Sequence, residues 1–170
     1  MNKNWKEDIT TLTKEIIEKN NGQVFFTFKK ASVVLGCRPN MVSHILHTRG
    51  ILVQRQGHFK RVTALELAKV MYPDTVPMGM RESEKLLAQL IVEYNDRFVF
   101  YHISMAAKIL GLHKNTVCRY LADNGVSMRF HGQYKRVSAL DMAKAMYAHN
   151  ISPIDNAFWA SNHEWLKNRI

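Results

Sequence analysis

The sequence predicts a mostly helical fold with short β-hairpins, built as two copies of one unit. Three observations predict it. A shift of 75 residues aligns Phe25–Tyr72 with Phe100–Tyr147 without a gap, and 18 of those 48 positions are identical. Apolar residues recur at helical spacing in several separate stretches, as in Ile9, Leu12, Ile16 and Ile17. Glycines fall at matching punctuation points in both copies: Gly36 on Gly111, Gly50 on Gly125 and Gly57 on Gly132.

Each unit can be justified in chain order. Ile9–Ile17 and Leu86–Tyr94 carry an apolar stripe and predict a first helix, ending near Asn20 or Asn95. Val24–Phe28 and Phe98–Ile103 are short β-prone runs. A second helix covers about Lys29–Leu35 or Ser104–Leu110, closed by Gly36 or Gly111 in the left-handed conformation that follows many helices. A third helix starts near Pro39-Asn40 or Lys114-Asn115, and proline suits a first helical position because no N–H is needed there. It ends at Gly50 or Gly125. Ile51–Gln56 and Phe59–Val62 flank Gly57-His58 and predict a hairpin, repeated by Val126–His131, Gly132-Gln133 and Tyr134–Val137. Thr63-x-x-Glu66 and Ser138-x-x-Asp141 are capping patterns that open a last helix through Tyr72 or Tyr147. The organisation is a first unit over 1–76, a second over 77–151, and a tail over 152–170. Pro73, Pro77 and Gly79 mark the linker.

Charge narrows the partners. The chain has 24 Lys+Arg and 14 Asp+Glu, a formal net charge of +10. A strongly basic folded protein has a polyanionic partner as its default expectation. The positive charge is segregated: Lys29–Arg61 holds seven Lys/Arg and no acid, and Ser104–Arg136 holds six and only Asp123. The acids sit in the first helices (Glu7, Asp8, Glu15, Glu18; Glu82, Glu84, Glu93) and the last ones (Glu66, Asp141). Such separation fits a surface for a phosphate backbone, whereas a merely solvated face mixes both signs. No apolar run is long enough for a bilayer, and the first twenty residues lack a signal peptide's apolar core, so a cytoplasmic location is expected.

Ile103-Ser-Met-Ala-Ala107-Lys-Ile-Leu-Gly111-Leu-His-Lys-Asn-Thr-Val117-Cys-Arg-Tyr-Leu121 resembles a helix-turn-helix motif. Small Ala107 allows close helix approach, Gly111 makes the turn, and Leu112, Val117 and Tyr120 or Leu121 pack the second helix on the first. In the first unit Gly36, Val42, Ile45 and Leu46 keep the pattern, while Ser32 replaces the small Ala and Cys37 stands where an aliphatic residue is usual. With the hairpin that follows, each unit is similar to a winged helix-turn-helix domain. The resemblance implies two tandem DNA-reading units and a sequence-specific double-stranded DNA-binding protein, a transcription regulator of a bacterium, phage or mobile element. Alternatives are a replication-origin or recombination accessory protein, or a module binding protein or RNA.

Carried over position by position, the resemblance implies base readout by Arg38, Asn40, Ser43, His44 and His47, and by His113, Lys114, Asn115, Cys118 and Arg119. Arg119 is the leading candidate, since a guanidinium can bond guanine O6 and N7 together. Asn40 and Asn115 have a competing reading as caps of the third helix. The wings imply backbone contacts by Arg55, His58, Lys60 and Arg61, and by Arg129, His131, Gln133, Lys135 and Arg136, with Lys29 and Lys30 added from the second helix. The competing reading is that one residue of each Lys-Arg pair turns back to an acid of the last helix, such as Glu66 or Asp141. Phe59 and Tyr134 are expected to pack the hairpins.

Other chemistry finds little footing. Cys37, His44 and His47 lie close in sequence, but the second copy has Leu112, Arg119 and Ala122 there, and no Cys-x-x-Cys occurs, so no metal or cofactor is expected. Neither a Gly-rich phosphate loop nor paired carboxylates suggest an enzyme. In the tail, Phe158, Trp159, Trp165 and Leu166 suggest an amphipathic helix. It would fold back on the second unit or contact a second copy or another protein.

Overall fold

A computed structural model describes residues 4–51, 53–56, 59–73, 76–126, 128–131 and 134–147, without the side chains of 54–56, 59, 129–131 and 134. The tail expected to form a helix, with its Phe158, Trp159 and Trp165, lies outside the described residues, as do His58 and Gln133.

The chain is mostly helical with two small antiparallel sheets. Its elements run α1 (Trp5–Lys19), β1 (Phe25–Thr27), α2 (Phe28–Leu35), α3 (Pro39–Thr48), β2 (Gln54–Gln56), β3 (Phe59–Thr63) and α4 (Ala64–Met71). The same series then recurs as α5 (Met80–Tyr94), β4 (Phe100–His102), α6 (Ile103–Leu110), α7 (Lys114–Asp123), β5 (Arg129–His131), β6 (Tyr134–Ser138) and α8 (Ala139–Tyr147). In each half the short β-prone run joins the hairpin as a third strand, giving orders β1-β3-β2 and β4-β6-β5. Phe26 lies opposite Val62, and Tyr101 opposite Val137, so large apolar side chains meet β-branched partners across the ladder. The sequence pattern marked this run as β-prone but not its pairing with the hairpin, because its partner is more than thirty residues away.

Local chemistry explains the helix boundaries. The Thr63 hydroxyl accepts from the Glu66 N–H at 3.1 Å, and the Ser138 hydroxyl from the Asp141 N–H at 3.0 Å, so both capping patterns open helices. Thr27 likewise accepts from Lys30 N–H and starts α2. Gly36 and Gly111 end α2 and α6 with φ of 64° and 61°, the left-handed region that glycine enters without a Cβ clash. In each half the first helix packs on the last, α1 on α4 and α5 on α8.

The halves are not beads joined only by a linker. Buried residues of both form one hydrophobic cluster. Phe25 and Tyr120 face each other with ring centroids 6.0 Å apart. The Val24 N–H donates to Ile109 O at 3.2 Å. Beside them, α1 and α5 exchange ion pairs Lys6–Glu82 and Lys14–Glu93, and Tyr94 donates to Glu18 Oε1 at 2.7 Å. Packing therefore fixes the relative placement of the halves that the sequence left to the linker. No described helix is long and apolar enough to cross a membrane.

Candidate nucleic-acid interface

The helix-turn-helix candidates are α2-turn-α3 and α6-turn-α7. Val42 and Leu46 in α3, and Val117, Tyr120 and Leu121 in α7, are buried, and each helix packs on the one before it. Ser32 fills the small-residue position of the first copy, and its hydroxyl is satisfied by donating to Lys29 O at 2.6 Å, so a buried polar group costs little there. Ala107 fills that position in the second copy and is buried.

With those faces turned inward, the helices present matching outer positions. Arg38, Asn40 and His44 are exposed on α3 or its N-cap, and their counterparts His113, Asn115 and Arg119 are exposed on α7. Lys114 is exposed, while Ser43, His47 and Cys118 are half-buried at the edge of the face. Asn40 and Asn115 do not cap. The cap positions are Arg38, without a side-chain bond, and His113, whose Nδ1 accepts from the Asn115 N–H at 3.3 Å. Thr116 donates to His113 O at 2.7 Å and tightens that first turn. Both asparagine side chains stand in the first turn of a helix, where unpaired N–H groups favour an anion. Arg119 is 86% exposed and lies 3.8 Å from Asp123, an exposed pair too weak to hold it against a better acceptor.

The hairpins divide the Lys-Arg pairs, because successive strand residues point to opposite faces. Lys60 is half-buried, with its ammonium 5.7 Å from the Phe28 ring centroid, and Lys135 is exposed. Arg61 departs from its expected place. It is 8% exposed, donates from Nη1 to Gly111 O at 3.2 Å, and lies over the Phe25 ring at 5.8 Å. Nor does it turn back to Glu66. Burial lowers its pKa, with the nearby Tyr120 acting in the opposite direction. Arg61 thus ties the halves together and is not on a surface that meets phosphate. Its counterpart Arg136 is half-buried. Arg55, Arg129 and His131 lie on β2 and β5. Lys29 is exposed, and Lys30 donates to Gln23 Oε1 at 2.8 Å.

Glu66 is engaged elsewhere. Lys69 donates to Glu66 Oε1 at 2.6 Å and to Ser83 Oγ at 2.8 Å, and the Thr63 and Tyr147 hydroxyls lie 3.1 Å apart. This network spans both halves. Burial and the nearby Glu66 push the Tyr147 pKa well above its usual value. The sequence reading missed Gln23, Lys69 and Tyr147 as bridging residues; the available signal was that Gln23 aligns with Phe98, a polar residue against an aromatic one.

Among the described residues no group of three or more His, Cys, Asp or Glu gathers as a metal site. Cys37 and Cys118 are half-buried free thiols, and Cys37 packs against the core. Neither a family model, a curated protein nor a solved structure matches the chain.

Proposed function

We propose that each half is a winged helix-turn-helix unit and that the chain binds double-stranded DNA sequence-specifically, as a transcription regulator of bacterial or phage type. One observation supports this above the rest. Counterpart positions 38/113, 40/115 and 44/119 are exposed in both halves, although other counterpart surfaces differ in burial. A face kept open twice, at the start of the third helix and rich in Arg, His, Lys and Asn, has the chemistry for base edges and phosphates. Apart from Asp123, which stands on α7 beside Arg119, the described acids lie off α3 and α7, several of them in Lys6–Glu82, Lys14–Glu93 and Glu66–Lys69 pairs. The residues on the two faces differ, and no twofold axis relates the halves. The target is therefore two unlike subsites in fixed spacing, not a palindrome.

Selection of bound duplexes from a random pool tests the proposal. The expected result is a non-palindromic consensus of two blocks, with affinity falling steeply as salt rises. Recovery of random duplexes, or binding insensitive to salt, overturns it.

A further inference from the structure

The contact between the halves is heterologous. The edge of the first half, from Gln23 through Phe25 with Arg61, docks on the second half at Ile109, Gly111 and Tyr120. Val24 N–H, Arg61 Nη1 and the Phe25 ring make the contacts. The 75-residue shift places the same two surfaces elsewhere in the molecule, and there, among the described residues, neither is buried as its counterpart is. Val24 is 0% exposed and its counterpart Val99 58%; Leu65 is 0% and Leu140 42%; Phe98, the counterpart of Gln23, is 53%. On the receiving side, a Cβ at Gly111 would lie 2.2 Å from Gln23 Nε2 and 2.9 Å from Phe25 O, whereas one at Gly36 would meet nothing within 4 Å. Val33, beside Gly36, is 80% exposed.

The two open surfaces are more apolar than the pair that meets within the chain. Phe98 replaces Gln23 on the docking edge, and Val33 replaces Lys108 at the receiving rim. Val34 and Ile45 replace the bulkier Ile109 and Tyr120, leaving room for the larger Phe98. An open groove in the second half is apolar at Ala88, Val92, Val99, Ala139 and Leu140 and is also lined by Lys85, Gln89, Glu93 and Arg97, and the positions of the first half that correspond to its apolar residues, including Val24, Ala64 and Leu65, are fully buried. Clusters of exposed apolar side chains of this kind mark contact surfaces.

We infer that a second copy of this chain covers them: the Phe98–Val99 edge of one copy docks on the Val33–Gly36 surface of the next, repeating head to tail the contact that already joins the halves. Arg136 then takes the part of Arg61 and donates to Gly36 O of the neighbouring copy. Such a contact leaves one free edge and one free receiving surface at the ends, so it propagates until it closes into a ring or continues as a filament. It leaves the candidate DNA face open. In the second half His113, Lys114, Asn115 and Arg119 remain exposed although the equivalent receiving surface is already occupied. The inference does not rest on DNA binding.

Sedimentation of the full chain without DNA tests it, using Val33→Asp and Val99→Asp, two exposed positions where a carboxylate leaves the fold intact. The unsubstituted chain should show a weight-average mass that rises with concentration beyond twice 19.7 kDa. Each variant alone should sediment as one chain. An equimolar mixture should form a dimer and nothing larger, because only one competent edge and one competent receiving surface remain. A constant mass of one chain, or a mixture that stays monomeric, overturns the inference. So does association that begins only when residues 148–170 are removed, since the tail and not a second copy would then cover the groove.

Discussion

At several aligned positions the two halves hold the same residue in unlike surroundings. Leu65 and Leu140 occupy the same repeat position on α4 and α8, yet only Leu65 is sealed from solvent. Lys69 and Lys144 are likewise aligned, but the Lys69 side chain is only 9% exposed, in an ion pair with Glu66, while Lys144 is exposed. The lesson is that a residue's energetic weight comes from what covers it, not from its place in a repeat. Docking an edge of one half on a different surface of the other makes the first half's edge core and leaves the second half's edge as surface.

Paired substitutions at aligned positions break or sharpen that comparison. The largest effect is expected at Lys69→Met, which leaves the Glu66 carboxylate buried without its cation. Both side chains are only 9% exposed. Breaking such a pair costs about 3–5 kcal/mol, read as a lower urea midpoint. Lys144→Met should change stability by less than about 0.5 kcal/mol, as surface changes do. Equal losses at both positions would mean that the halves do not differ as described. Next comes Leu65→Ala, a core truncation costing about 2–5 kcal/mol, against a small loss for Leu140→Ala. If Leu140→Ala is as damaging under conditions of self-association but not in dilute solution, the head-to-tail contact accounts for it.

Most helix boundaries were legible because they are local events. A Thr or Ser three residues before an acid, Pro39 at a first turn, and glycines at left-handed positions each act within one helical turn. The outward faces of α3 and α7 were legible for the same reason, since Val42, Leu46, Val117 and Leu121 point the opposite way. Arg61 was not legible. Its neighbour Lys60 and its counterpart Arg136 suggested a phosphate ligand, and only long-range docking brings Gly111 O and the Phe25 ring to it. Asn40 and Asn115 were ambiguous as caps, because the cap falls two residues earlier, at Arg38 and His113. A repeat predicts what both copies share; contacts that break their equivalence leave only residue mismatches such as Gln23 against Phe98.

The proposed DNA faces extend the comparison to smaller effects. Arg119 and His44 are aligned and both exposed, but a guanidinium can make two parallel bonds to one guanine. Arg119→Ala should relax preference at one base pair by about 1–3 kcal/mol, measured by competition between the selected duplex and single-base variants. His44→Ala should act on a different block of the site. If both substitutions relax the same base pair, the halves do not read separate subsites.

The smallest effect is expected at Lys135, exposed on β6, compared with its aligned Lys60, half-buried against Phe28. A phosphate contact carries no base information, so its loss should weaken all duplexes alike. Lys135→Ala should therefore reduce the salt slope of binding by about one unit and leave the consensus unchanged. Lys60→Ala should reduce the slope less, because part of that ammonium's surroundings is already an aromatic face and not water. A shifted consensus for Lys135→Ala would place the second wing in a groove at base edges, and the two wings would then differ in role as the two docking edges do.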